Sequence, residues 1–430
     1  SRLNLFRRRM QECLLSDVYY VMLVGVHLCM FSWSKIHQPH EKYNWLEISD
    51  ADSNPEAACN CSAVLQGDQE EIEKAKILAI TEAFQKSVQI PDEYYLSATE
   101  NCRSFKIMRK YLQFPLSQEE KEFPLAYSMV VHHKVQNFER LLRTIYAPQN
   151  IYCVHVDQKS TPSFRAAVTA IVSCFPNVFM VSQPVSVVYA SWSRVQADIN
   201  CMADLYNSSI NWKYFINVCG QDFPLKTNWE IVQMLRLLRG SNSMESEKMP
   251  EGKKWRVTKV HEVVDGAIQG TEKHKEAPPF NLPILSGNAY IVVSRGYIRS
   301  VLEDKRIQVL IEWAKDTYSP DEFLWATIQR MPGVPGSTRP NAKFDMTDLN
   351  AIARLVKWQG HEGSDGSPDA VYAECQGRHV RGICVYGVGD LRWLLDQHHL
   401  FANKFDIEID PFVIYCLEKY LRRKALAEIH

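Results

Sequence analysis

The sequence predicts an α/β domain built on a parallel sheet and carried behind one membrane-anchoring segment. Three observations carry this expectation. From Ala126 onward, short apolar runs alternate with amphipathic ones. An uncharged stretch near the N-terminus follows four arginines. Neither GxGxxG nor GxxxxGK[ST] follows any strand-like run, so the alternation is not that of a dinucleotide or P-loop site.

The 430 residues allow one large domain with appendages. At 46% hydrophobic and 23% charged, the composition excludes wholesale disorder and low-complexity architecture. Forty-nine basic residues stand against 50 acidic ones, which argues against nucleic-acid binding by bulk charge. Twelve cysteines are many for a cytosolic enzyme and few for a disulfide miniprotein.

Taken in order, residues 1–13 form a short basic tail with Arg2, Arg7, Arg8 and Arg9. Residues 14–33 are the expected span, although the uncharged core 18–33 reaches only ~24 Å as a helix at about 1.5 Å per residue. Such a span suits a thin early-secretory membrane. No small-x-small cleavage site follows it. The positive-inside rule puts the arginines in the cytosol and the remainder in the lumen, as in a type II signal anchor. Ten of the twelve cysteines then face an oxidising lumen. The sequons at Asn60 and Asn207 agree with that side.

Residues 34–121 are expected to be a stem and N-terminal lumenal region, with a helix over 69–87. Residues 122–430 are the expected catalytic domain. Within it, 126–132, 151–157, 177–182, 213–219 and 288–294 read as strands. Residues 137–146, 163–175, the Trp192–Leu205 stretch and 307–316 read as helices. Strand–helix alternation with apolar strands means a parallel sheet, whose ligands bind at the strands' carboxyl ends. His132, Asp157 and the Asp222 region fall at such ends. Residues 240–283 read as a polar loop.

Ser319-Pro320-Asp321-Glu322 carries a helix-start signature, with Ser as cap and the acids near the positive end of the dipole. The acids either cap the helix or place one carboxylate in a cleft as a general base. There is no CxxC for zinc and no GxSxG for a nucleophile. The clearest DxD, Asp50-Ala51-Asp52, lies in the stem and reads as a chance match. A bound diphosphate would therefore need side-chain cations, for which Arg381 and Lys404 are candidates.

Seven segments together resemble the core 2 β-1,6-N-acetylglucosaminyltransferases. They are AYSMVVHHK (126–134), YCVHVDQKS (152–160), VVYASWSRVQAD (187–198), CGQDFPLKT (219–227), DTYSPDEFLWATIQR (316–330), ARLVKWQGHEG (353–363) and HHLFANKFD (398–406). The match runs over roughly residues 59–425. SMESE (243–247) and WQGHEG (358–363) are most similar to the mucin-type branch. The resemblance implies a Golgi type II membrane enzyme with a glycosyltransferase A-type fold. It implies inverting transfer of N-acetylglucosamine from UDP-N-acetylglucosamine to the 6-hydroxyl of GalNAc in mucin-type O-glycoproteins, with no divalent metal.

By position, the resemblance implies Glu322 as the base. It implies donor contacts at Val130, Val131, His132, Asp157, Gln158, Lys159 and Tyr189, with Arg381 and Lys404 on the diphosphate. Acceptor contacts carry over to Glu245, Lys343 and Trp358, and to Lys253 and Lys254 with a departure. The family usually has an Arg before Trp255, where this chain has Lys254, and a lysine cannot reproduce a bidentate fork. Gly360 replaces an acceptor-contacting Tyr of leukocyte-type members. That opening is expected to admit core 3 and linear galactosyl acceptors, giving core 4 and I branches. The resemblance also implies the disulfides Cys61–Cys416, Cys102–Cys174, Cys153–Cys201 and Cys375–Cys384, each contributing about 2–4 kcal/mol. Cys219 stays unpaired, and Cys59 is extra and expected at the surface.

Two other readings stay open at this point. One is a tethered glycan-binding protein of the same fold without catalysis. Glu322, Arg381 and Lys404 together speak against it. The other is a glycoside hydrolase, against which the adjacency of Asp321 and Glu322 counts, since neighbouring side chains point apart.

Overall fold

The computed structural model describes residues 41–48, 54–338, 345–346, 351–363 and 370–429. The basic tail, the expected span at 14–33, Asp50-Ala51-Asp52 and Lys343 lie outside the described residues. Among the described residues no helix is long and apolar enough to cross a membrane.

A five-stranded sheet organises the chain. Its strands are β1 (Leu125–Val131), β2 (Ile151–Val156), β3 (Val178–Met180), β4 (Tyr214–Cys219) and β5 (Val292–Ser294), in the order β5-β4-β1-β2-β3. The pairs β1–β2, β2–β3 and β1–β4 are parallel, and β5 closes the β4 edge antiparallel. Every residue of β1 and β2 is buried. That explains why these strands read as continuous apolar runs: helices cover both faces of the sheet.

Alternate strand residues feed two cores. Tyr127, Met129, Val131, Tyr152 and Val154 pack with Phe138, Leu141, Val168 and Phe412 on one face. Ala126, Cys153 and Phe215 pack with Val195, Met202, Tyr297 and Ile298 on the other. Helices Val135–Ile145, Pro162–Ser173 and Trp192–Tyr206 therefore lie close to where their periodicity put them.

Several expectations need correction. The helix over 69–87 is two helices, Gln69–Ala79 and Glu82–Val88, broken where Thr81 takes an extended conformation. The loop at 240–283 contains a hairpin, Lys259–Val264 with Ala267–His274. Asp265 and Gly266 turn it with φ of +50° and +77°, the conformation that favours Asp-Gly between strands. Only Val292–Ser294 of the expected strand 288–294 pairs in the sheet. In the presumed stem, Cys61–Gln66 is helical, and Cys59, Cys61 and Val64 share the core of the sheet's first face.

All four expected disulfides are present: Cys61–Cys416, Cys102–Cys174, Cys153–Cys201 and Cys375–Cys384. Cys219 is unpaired. Cys59 is buried rather than superficial, with its sulfur 3.9 Å from that of Cys416, and burial pushes its thiol up to about 12. Asn60 and Asn207 are both exposed.

The N-terminal region is also joined to the C-terminal helix Pro411–Ala427 by charge. Arg140 reaches Glu56 at 2.5 Å and Glu418 at 2.6 Å, all three buried. Removing one partner of such a group leaves uncompensated charge. Arg140→Met is expected to cost about 3–5 kcal/mol, read as a large fall in Tm. A change in Tm of under a degree would show that these acids do not depend on Arg140.

Candidate active site

The first wall of the site is built at the carboxyl ends of β1 and β2. Val130 and Val131 are buried, and the Val131 carbonyl accepts the Asp157 N–H at 3.0 Å. His132 emerges from the strand, and its carbonyl accepts from the Ser160 hydroxyl at 2.9 Å. Asp157 is buried, and its carboxylate accepts from the backbone N–H of Lys159 at 2.9 Å and of Val187 at 3.3 Å. One carboxylate thereby fixes two loops. Gln158 donates to the Pro184 carbonyl at 3.0 Å, and the side chains of Gln158 and Lys159 are exposed. Tyr189, at the far end of the second loop, is 74% exposed.

A second wall carries the cations. Arg381 and Gly382 form the two-residue turn between Arg378–Val380 and Ile383–Val385, with φ of +54° and +74°. Positive φ is natural for Gly382 and costs energy at Arg381, a kind of strain concentrated at ligand sites. The turn points the Arg381 guanidinium at the Tyr189 ring, 5.9 Å from its centroid. Lys404 follows the short strand Phe401–Asn403, and its carbonyl accepts the Tyr386 N–H at 2.9 Å. Burial lowers the Lys404 pKa, and the Arg381 charge pushes the same way. Two cations in each other's field make a place that favours an anion.

The third wall holds the acids. Ser319 does not cap a helix. It takes a left-handed conformation, φ +47°, and no side-chain cap bond forms. Its N–H donates instead to the carbonyl of Ala190, itself at φ +59°, at 2.7 Å. That bond ties the turn Pro320–Glu322 to the Tyr189 loop, so the expected donor contact Tyr189 and the acids share one junction. Glu322 ion-pairs with Arg256 through Oε2 and keeps 35% side-chain exposure. Asp321 is half-buried, with Oδ1 enclosed and no hydrogen-bond partner. Burial pushes its carboxyl up to about 6; Arg194 opposes this and Glu322 adds to it.

Residues expected on the acceptor side approach the same acids. The Gly287 N–H donates to the Glu322 carbonyl at 2.7 Å. A Cβ at Gly287 would lie 2.5 Å from the Glu245 carbonyl oxygen and 2.8 Å from the Ala326 Cβ, so only glycine lets these segments meet. Lys253 reaches the Ser286 hydroxyl at 3.5 Å. Lys254 does not join this group; it pairs with Glu251 at the surface. Trp358 is 42% exposed and lies beside the Arg381 turn, where Gln359 donates to the Gly382 carbonyl at 2.9 Å. A Cβ at Gly360 would meet nothing within 4 Å, consistent with an opening there.

Arg256 is the residue that sequence reasoning missed. Its guanidinium lies 5.9 Å from the Trp255 ring and 5.6 Å from that of Tyr318, and it holds Glu322. The signal was the basic–aromatic run Lys253-Lys254-Trp255-Arg256, in which only the two lysines were read as contacts. The described Cys-containing clusters with metal-ligand spacing all include disulfide sulfurs, which are not thiolate ligands.

Comparison with known proteins decides the lineage. The family model "Core-2/I-Branching enzyme" matches residues 125–395. The chain belongs to the Core-2/I-branching enzyme family. A human β-1,3-galactosyl-O-glycosyl-glycoprotein β-1,6-N-acetylglucosaminyltransferase is 54% identical over 408 residues, covering 95% of each chain. A sheep relative with that name and the number 3 is 59% identical over 85% of this chain and 83% of its own. A relative of the same name from bovine herpesvirus 4 is 58% identical over the same shares. The architecture of this family member is thus a mixed α/β glycosyltransferase-like domain on a parallel sheet.

Asp321 makes a pH prediction. Its carboxyl, ordinarily near 3.8, holds its proton more tightly in the folded chain than in the unfolded one. The stabilising difference is fully present below pH 3.8 and is lost as pH rises through about 6. Asp321→Asn is therefore expected to gain stability relative to the parent between pH 5 and pH 7.5, by about 1.4 kcal/mol. Thermal unfolding of both proteins at the two pH values checks this; a constant difference would remove Asp321 as the titrating group.

Proposed function

We propose that this chain transfers N-acetylglucosamine from UDP-N-acetylglucosamine, in β-1,6 linkage, to the GalNAc of mucin-type O-glycans. The observation that carries the reading is the junction of three groups: paired cations, the Glu322 carboxylate and the exposed Tyr189–Trp358 surfaces. The family membership and the names of its relatives support the reaction class.

In the proposed mechanism the acceptor 6-hydroxyl attacks the anomeric carbon in line with the departing diphosphate, inverting that centre. Glu322 takes the hydroxyl proton as the general base. Arg256 orients it by pairing with Oε2. Negative charge grows on the leaving diphosphate, and Arg381 and Lys404 stabilise it as fixed cations. Such cations can supply the charge that a divalent ion would otherwise supply, which is the basis for proposing metal-independent transfer. Asp157 organises the uridine-side loops with Val130, Val131, His132, Gln158 and Lys159. Tyr189 flanks the diphosphate.

Glu245, Lys253 and Trp358 are proposed to receive the acceptor, joined by Arg256. Lys254 points elsewhere and is the weaker assignment. Lys343 remains proposed on sequence resemblance. The open space at Gly360 favours core 1 and core 3 acceptors, forming core 2 and core 4 branches, and linear galactosyl acceptors, forming I branches. The apolar stretch at 14–33, with its uncharged core 18–33 behind the arginines, supports a Golgi type II anchor with the domain in the lumen. The four disulfides fit an oxidising compartment.

Glu322→Gln is expected to lower transfer by about 10²–10⁴-fold while UDP binding persists. Normal turnover by that variant would reject Glu322 as base. Transfer to a Galβ1,3GalNAc acceptor is expected to survive EDTA, and its complete loss would sink the cation mechanism. Gly360→Tyr is expected to depress transfer to core 3 more than to core 1; equal effects would separate Gly360 from acceptor choice.

A further inference from the structure

Lys134 closes the first of the seven family-like segments, and Asp406 closes the last. Neither has a part in the chemistry above, yet they meet across 272 residues. The Lys134 ammonium lies 2.6 Å from both oxygens of Asp406 and 2.8 Å from Glu408. Asp406 is buried, and the Lys134 side chain is 19% exposed, so the pair is partly shielded from water. Lys134 adopts a left-handed backbone, φ +62°, immediately before the helix Val135–Ile145. A non-glycine residue in that conformation needs surrounding contacts to hold it there.

Those contacts converge on the segment that carries Lys404. Asp406 also accepts from Gln221 at 3.2 Å and from the Glu408 N–H at 3.0 Å. Phe405 donates its N–H to the Gln221 carbonyl at 2.8 Å, and its carbonyl accepts from Asn137 at 3.2 Å. The Ile407 N–H donates to Asn137 Oδ1 at 3.2 Å. Residues 405–407 are thus fastened to the end of β4 and the start of the helix after β1. Lys404 stands directly before this fastened stretch.

We propose that the Lys134–Asp406 ion pair is a latch that sets Lys404 in the diphosphate site, making Lys134 a positioning residue for donor binding. The proposal rests on the diphosphate role given to Lys404. Lys134 itself touches no substrate. It fixes the backbone from which Lys404 reaches.

Positioning is separable from a mere loss of compensating charge. Repulsion by Asp406 and Glu408 would act on a diphosphate whether or not Lys404 is present. Positioning acts only through Lys404. UDP affinity of the full chain, measured by calorimetry for Lys134→Met, Lys404→Met and their combination, decides between them. Lys134→Met is expected to weaken UDP binding about tenfold, Lys134→Arg to restore most of it, and the double variant to bind no worse than Lys404→Met alone. The KM for the acceptor is expected to stay unchanged.

Parent-like UDP binding by Lys134→Met overturns the latch, as does a loss undiminished when Lys404 is absent. If Lys404→Met binds UDP like the parent, the diphosphate assignment itself fails; the Glu322→Gln result does not depend on it. Each variant is checked by its Tm, and Asp406→Asn, which removes the other partner, replaces Lys134→Met should that variant not fold.

Discussion

Between β1 and β4 the sheet changes direction. From β1 the chain moves outward through β2 to β3, then crosses back to add β4 on the opposite side of β1. The loops leaving the carboxyl ends of β1 and β4 therefore diverge, and a crevice opens between them. The donor contacts proposed at strand ends lie on that side of the sheet. His132 leaves β1, Asp157 leaves β2, and Gly220 and Gln221 leave β4 toward Lys404. A different strand order would have scattered the same side chains over two sides of the domain.

Below the crevice lies a charge-balanced polar floor. Asp198 accepts from Ser128 at 2.9 Å and pairs with Arg194 at 2.7 Å. Asn217 joins Asp198 at 3.2 Å, and Arg354 donates to the Asn217 carbonyl at 2.6 Å. Arg354 faces Asp222 at 3.3 Å, and Asp222 accepts from Asn403 at 2.8 Å. The series begins at Arg194, whose charge acts on Asp321, and ends one residue before Lys404. Buried charges are tolerable when paired and hydrogen-bonded, and such a network fixes geometry more than it adds stability. Here it links the acid wall to the cation wall beneath the space where substrate would sit.

How much of this was legible depended on burial. The parallel strands announced themselves because both faces are covered and their apolar runs are unbroken. The hairpin at Lys259–His274 was missed because its second strand, Ala267–His274, is mostly polar and exposed, although Asp265-Gly266 marked the turn. Glu322 was legible from the family-like segment around it. Arg256 was not, since nothing local says that a residue 66 positions away will pair with that carboxylate. The helix-start reading of Ser319 failed for a tertiary reason. Its backbone is held left-handed, with the N–H bonded to Ala190, instead of taking the extended conformation from which a serine side chain caps. Cys59 looked superficial only because its neighbourhood, the Cys61–Cys416 bridge, is assembled from opposite ends of the chain.

The acid wall shows how two adjacent carboxylates come to differ. Asp321 turns inward, where Oδ1 finds no partner and desolvation favours the neutral form. Glu322 turns toward Arg256 and keeps contact with solvent. A residue that must collect a proton from an incoming hydroxyl needs this second setting: held in one direction, but not sealed. The Arg256 pair supplies the hold through a single oxygen, Oε2. Gly287 supplies the rest by anchoring the Glu322 carbonyl from the acceptor side. Glu322 is thus held at its carboxylate and at its backbone by groups from separate segments, and small displacements of either segment act directly on the proposed base. The proposed acceptor contacts and the proposed base are therefore not independent in this fold: the segment that carries Glu245 packs so closely on Gly287 that no Cβ fits between them.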